Sequence, residues 1–176
     1  MEMYFTKTCC FTGHRPDKCV GTEEAIRGRL LEKIREFMNR GYDTFITGMA
    51  MGVDTWAAEE VLKIKEESPA VRLVCAVPFL GVERNRTEEQ QKSFRAILEK
   101  ADIVEYICPK GFRRSFPARD KWMVDHASGV IAVFNGTHGG TEYTIRYARE
   151  KERLVEVIND ADCSEPQNLN ASKTVR

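Results

Sequence analysis

The chain has 176 residues, enough for one domain with a substantial core, and 42% of them are hydrophobic against 31% charged, the balance of a globular protein in water. Lysine plus arginine and aspartate plus glutamate both number 27, so the formal net charge is zero, which disfavours broad nonspecific nucleic-acid binding because that requires a basic field. No apolar run reaches bilayer-spanning length, so no membrane partner is expected, and the opening MEMYFTKTCC lacks the basic and apolar regions of a signal peptide.

Strand-like and helix-like segments alternate along the chain. The first strand is expected over residues 6–12 (TKTCCFT) and runs into TGHRP. A helix follows from Thr22, a suitable N-cap with Glu23 and Glu24 in the first turn; Ile26, Leu30, Ile34 and Phe37 recur at helical spacing, and Gly41 fits its stop. The second strand, residues 43–47 (DTFIT), leads into TGMAMGVD and a helix starting at Asp54. The third strand is residues 71–77 (VRLVCAV), followed by Pro78 and Phe79, with Arg84 and Arg86 nearby. Thr87 and Gln90 have capping-box spacing for a third helix carrying Phe94, Ile97 and Leu98. A fourth strand at residues 103–107 precedes a loop from Pro109 to Pro117 and a helix over residues 118–127. The fifth strand, residues 129–134, runs into NGTHGGTEYT and a helix over residues 141–151; the sixth is residues 154–158. Several strands lack clean alternation, as parallel strands covered on both faces do. The expected fold is therefore a single Rossmann-like, doubly wound α/β domain over residues 1–158, with a mostly parallel sheet flanked by helices, and residues 159–176 form a flexible tail.

Ligands of open α/β sheets bind at the carboxyl ends of strands. Four polar or glycine-rich turns fall there: Thr12, Gly13, His14 and Arg15 after the first strand; Gly48, Met49, Gly52 and Asp54 after the second; Phe79 after the third; and Gly139, Gly140 and Thr141 after the fifth. A strand that ends in a glycine turn and opens a helix aims backbone N–H groups at an anion. The spacing G-x-x-x-G at Gly48 and Gly52 is neither the dinucleotide fingerprint nor the P-loop. These turns together predict a phosphate-bearing, nucleotide-type ligand, with Arg15 and Arg119 as anion contacts and Thr12 and Thr141 as hydroxyl donors.

Each residue also has a plainer reading. Asp54 reads first as an N-cap and Trp56 as core. Phe79 either stacks on a base or packs. Arg113 and Arg114 are solvated unless the loop closes over an anion, and His126 is a surface group at a helix end. Nothing supports a metal: His14, His126 and His138 have no ligand spacing. The six cysteines, Cys9, Cys10, Cys19, Cys75, Cys108 and Cys163, form no C-x-x-C pair, which points to a reducing, cytoplasmic setting. No Ser–His–Asp order stands out. Were water to attack a glycosidic carbon, Asp54, Asp125 or Glu142 would be the carboxylate near a glycine turn.

The segments CFTGHRP, TGMAMGVDTWAAE and RDKWMVDHASGVIAVFNGTHGGTEYTIRYA, in that order, resemble the YpsA-like family of the SLOG superfamily, over about residues 8–158. The resemblance implies a Rossmann-like fold with a nucleotide or nucleotide-derived ligand at the strand ends; set against the enzyme and DNA-binding branches of the superfamily, the leading expectation is a sensor or regulator of an ADP-ribose-like ligand with no required cofactor. Domains of this kind often pair, so a homodimer is admitted. The related LOG enzymes are phosphoribohydrolases with an Arg before P-G-G-x-G-T-x-x-E. Arg119 matches that Arg and His138 to Thr141 match the glycines in part, but Thr144 stands where the catalytic Glu would be, and Glu142 lies two residues earlier. A LOG-like hydrolase using Arg119 and Glu142 is thus the alternative. The DprA branch, which binds single-stranded DNA, shares a segment resembling TGMAMGVD, with Ala50 and Asp54 in register; DNA binding is the third reading.

Overall fold

Side chains of successive strand residues point to opposite faces, and here both sets are apolar. On β1 (Thr8–Gly13), Cys9 and Phe11 enter one core while Cys10 enters another; on β2 (Thr44–Thr47), Phe45 and Ile46 divide the same way. Such a sheet must be covered twice. The computed structural model of the chain, which describes residues 6–164, shows it so covered. Six strands, completed by β3 (Arg72–Val77), β4 (Ile103–Tyr106), β5 (Gly129–Phe134) and β6 (Leu154–Asn159), lie in the order β4-β3-β2-β1-β5-β6 with every pairing parallel. This is the Rossmann-like α/β architecture.

Helices α1 (Glu23–Asn39), α2 (Val53–Glu67) and α3 (Glu88–Lys100) cover one face with Ile26, Leu30, Ile34, Phe37, Val61 and Phe94. The other face is closed by α4 (Ser115–Asp125) and α5 (Gly140–Glu150) through Met123, Val124 and Ala148. Thr22 caps α1 by accepting from Ala25 N, and Thr87 and Gln90 form the full capping box of α3.

The strand order reverses beside β1. The chain steps outward through β2, β3 and β4, then crosses back to lay β5 on the free side of β1. The loops after β1 and β5 therefore diverge and leave a crevice at the carboxyl ends of the strands.

Three local expectations are corrected. First, α4 begins at Ser115, not Ala118. Pro117 lies in its first turn, where the missing N–H of proline costs no helical bond, and Ser115 Oγ accepts from Phe112 N and donates to Lys110 O. Second, the N-cap of α2 is Gly52, at φ 89°, so Asp54 is not the cap. Third, the domain does not end at residue 158. β6 runs to Asn159, and the fully buried Asp160 accepts from Val20 N (2.7 Å) and Gly21 N (2.8 Å). The remainder of the expected tail, from residue 165, lies outside the described residues.

Candidate functional site

The crevice holds a cavity of about 180 Å³. Its lining joins the end of β1 and the turn after it (Phe11, Thr12, Gly13, His14, Arg15, Lys18), the turn into α2 and its first residues (Ala50, Asp54), α4 (Phe116, Arg119, Asp120) and the start of α5 (Gly140, Thr141). Eight of the thirteen residues expected at the site line this space: Thr12, Gly13, His14, Arg15, Asp54, Arg119, Gly140 and Thr141.

The turn after β1 leaves the sheet and bends away at Pro16–Lys18, a single 3-10 turn. Arg15 and Lys18 are exposed and supply cations to the cavity. His14 is buried beneath them, stacked on Phe134 with ring centroids 5.8 Å apart, and Asn135 N donates to its Nε2 at 3.4 Å. Burial lowers its pKa, against the opposing pull of Asp160, so the ring is neutral at pH 7 and contributes packing to the wall rather than charge. Asn135 Nδ2 also donates to Lys18 O at 2.9 Å, tying the β1 and β5 turns together.

Across the crevice, α5 starts from Gly139 at φ 154°, a residue with no side chain of its own to cap the turn, and the Glu142 carboxylate in the first turn feels the Gly139 backbone N–H. A Cβ built at Gly140 would meet no heavy atom within 4 Å. The start of α5 is thus open to the cavity, with the partial positive charge of a helix N-terminus.

The turn after β2 is built differently. Gly48 and Gly52, expected to bring backbone to a ligand, instead make room for protein. A Cβ on Gly48 would lie 2.6 Å from both Arg119 Cζ and Asp54 Oδ2; one on Gly52 would lie 2.7 Å from His14 O. Met49 is buried and holds φ 57°, a left-handed conformation uncommon for a side-chain-bearing residue. Thr47 Oγ1 accepts from Met49 N, and Arg86 donates to Met49 O at 2.6 Å. Behind the cavity wall, then, the turn is a braced support.

That support carries a buried charge cluster. Arg119 donates through Nη1 to Gly48 O and through Nε to Asp120 (2.7 Å), and its Nη1 stands 3.8 Å from Asp54 Oδ2. Asp54 in turn accepts from Ala50 N at 3.3 Å. Burial pushes the Asp54 carboxyl up to about 6, although Arg119 opposes the shift. Arg119 is therefore committed to Gly48, Asp54 and Asp120 while forming part of the cavity wall.

The other expected residues stand apart. Phe79 is half-buried and lies edge-on to Phe116, centroids 5.9 Å apart. Gly139 adjoins the lining. Glu142 is on the outer side of α5, outside the lining, and accepts from His138 Nδ1 at 2.8 Å; that contact holds its carboxyl below the usual range. Thr144 is buried and donates to Gly140 O within the helix. Trp56 is core. His126 stacks on Trp122 and contacts its carbonyl, and Arg113 and Arg114 are exposed. Among the described residues no cluster of His, Cys, Asp and Glu could hold a metal, and no helix is long and apolar enough to cross a membrane.

Sequence reasoning missed Lys18, Phe116 and Asp120. Phe116 stands three residues before Arg119 and four before Asp120 on α4, a helical spacing hidden where residues 109–117 read as a loop; Asp120 falls within the expected helix, and its charge there reads as a solvated one.

Residues 9–160 match the sequence model of the YspA SLOG family. The chain belongs to that family. UPF0398 proteins are among its relatives: one from Lysinibacillus sphaericus is 26% identical over 72% of both chains, and one from Bacillus cereus is 28% identical over 74% of this chain and 73% of its own. Two solved structures share the fold. DNA processing protein A from Streptococcus pneumoniae superposes with a TM-score of 0.59 at 19% identity, over 94% of this chain and 52% of its own. DNA processing protein A from Helicobacter pylori, described by its single-stranded DNA binding mode, gives 0.60 at 20% identity, over 94% and 67%. This chain thus spans about half the length of the pneumococcal protein.

Proposed function

We propose that this SLOG-family protein binds a nucleotide or an ADP-ribose-like molecule in the crevice between β1 and β5, and acts as a sensor or regulator rather than as a catalyst. One arrangement carries the reading: the open N-terminus of α5 at Gly140 and Thr141 faces the same cavity as Arg15 and Lys18. Backbone N–H groups, a hydroxyl and two exposed cations suit a phosphate. Arg119, expected as an anion contact, serves instead in holding Gly48 and the two aspartates in place.

Single-stranded DNA binding, as described for the Helicobacter pylori protein, is the competing reading. The neutral chain argues against it, since affinity for a strand grows with the number of phosphates neutralised. Calorimetric titration with AMP, ADP-ribose and a labelled oligonucleotide at physiological salt separates the two. Nucleotide binding that weakens about tenfold in Arg15→Ala/Lys18→Ala is expected. Tight, salt-sensitive oligonucleotide binding without nucleotide binding would refute the proposal.

A further inference from the structure

The lining of the cavity is chemically mixed. Gly140, Thr141, Arg15 and Lys18 are polar or cationic, whereas Phe116 is a large apolar ring that remains 38% exposed. Its neighbours explain its orientation. Phe116 is the second residue of α4 and precedes Arg119 by three, so both lie on one helix face, and Arg119 is fixed by Gly48, Asp54 and Asp120. Behind the ring, Phe79 meets Phe116 nearly at right angles, at 77°, a preferred aromatic geometry. Gly111 is the reason Phe79 fits, because a Cβ there would lie 2.7 Å from Phe79 Cε2. The ring is thus oriented by an edge contact and by the helix, and part of it is left uncovered beside the cavity.

We infer that Phe116 is the base-stacking platform of the site, so that a bound nucleotide lies with its base against α4 and its phosphate toward α5. The inference rests on the nucleotide reading above and adds the ligand's orientation and a residue that discriminates nucleotides from other phosphate esters. An aromatic face stacks on any base and offers much less to a bare sugar phosphate, which has no π-face. The Phe79 contact restrains the ring beforehand, so little side-chain freedom is lost on binding.

The test compares AMP with ribose 5-phosphate by calorimetry, in the wild-type protein and in Phe116→Ala and Phe116→Trp, with thermal melting alongside. Wild type is expected to bind AMP at least tenfold more tightly than ribose 5-phosphate. Phe116→Ala should remove most of that preference and leave ribose 5-phosphate affinity within about twofold; Phe116→Trp should keep it. Equal affinity for the two ligands in wild type, or an AMP preference that survives Phe116→Ala, would overturn the base assignment while leaving the phosphate site standing. An alanine variant weakened equally toward both ligands would show that Phe116 only shapes the cavity. No binding of either ligand by folded wild type would overturn the nucleotide reading and this inference with it.

Discussion

A methyl group added at Gly48 would lie 2.6 Å from Arg119 Cζ and from Asp54 Oδ2, whereas one added at Gly140 would meet nothing within 4 Å. Opposite outcomes follow. Gly48→Ala must displace a buried, hydrogen-bonded guanidinium, and is expected to cost roughly 1–3 kcal/mol of stability in urea unfolding. Gly140→Val should change stability by less than about 1 kcal/mol yet lower AMP affinity at least tenfold, because Gly140 lines the cavity and its added methyls take up open space there. Normal affinity in a folded Gly140→Val protein would make this turn purely structural. Asp54 adds a pH dependence. Its carboxyl sits at about 6 in the fold, raised by burial from an ordinary value of 3.8, so the folded state holds this proton more tightly than the unfolded chain. The contribution is favourable below pH 4, declines as pH rises through the window between those values, and is lost above pH 6. The span corresponds to about 3 kcal/mol. Comparing Asp54→Asn with wild type by urea unfolding at pH 4 and pH 7.5 isolates it. The variant should gain on wild type by a few kcal/mol between the two pH values, and a difference that does not move with pH would show that Arg119 fully compensates the buried charge.

At the level of elements, the segment after β6 acts as a staple on the opposite end of the chain. Asp160 accepts from Val20 N and Gly21 N, Thr22 N donates to Cys163 O, and Cys163 fills the space that a Gly21 side chain would take. These contacts fix the segment between the cavity-lining β1 turn and the start of α1. Removing the Asp160 carboxylate leaves two partly buried donors without partners, so Asp160→Ala should cost about 2–4 kcal/mol. A chain ending at residue 158 should lose at least as much relative to one ending at residue 164, together with nucleotide affinity. Equal stability of both truncations would remove the staple from the account. Contacts between residues 140 positions apart leave no local mark in a sequence, which is why Asp160 read as tail. The strands were legible because their apolar runs end at glycine turns, and α1 and α3 because Thr22 and Thr87 cap by type and spacing. The start of α4 was obscured because Pro117 signals a loop in isolation, although a helix tolerates it in the first turn. With the start of α4 went Phe116, and with it half of the cavity's chemistry.

For the whole molecule, the question is which groups converge where a bond would break. Hydrolysis of an N-glycosidic bond develops positive charge at the anomeric carbon, which a nearby carboxylate must stabilise. Glu142 sits outside the lining, paired with His138 on the solvent side of α5, and Thr144 is turned back onto Gly140 O. Neither the matched position nor its neighbour therefore presents a carboxylate to the cavity. The carboxylates in the lining, Asp54 and Asp120, come from α2 and α4 and are engaged with Arg119. Freeing either would leave a buried guanidinium short of counter-charge, which costs several kcal/mol. The expected result is no release of adenine from AMP, followed by chromatography, at protein concentrations that saturate with the nucleotide. Turnover lost in Glu142→Gln would require the α5 turn to rebuild around the ligand and would refute this arrangement of the site. Turnover indifferent to Glu142 but lost in Asp54→Asn, in the pH range where Asp54 titrates, would make the buried aspartate a general base and the protein an enzyme. Nucleotide binding without turnover, weakened in Arg15→Ala/Lys18→Ala and retained in Glu142→Gln, is the pattern expected from the proposed site, because Arg15, Lys18 and the start of α5 line one cavity while the carboxylates there, Asp54 and Asp120, are engaged with Arg119.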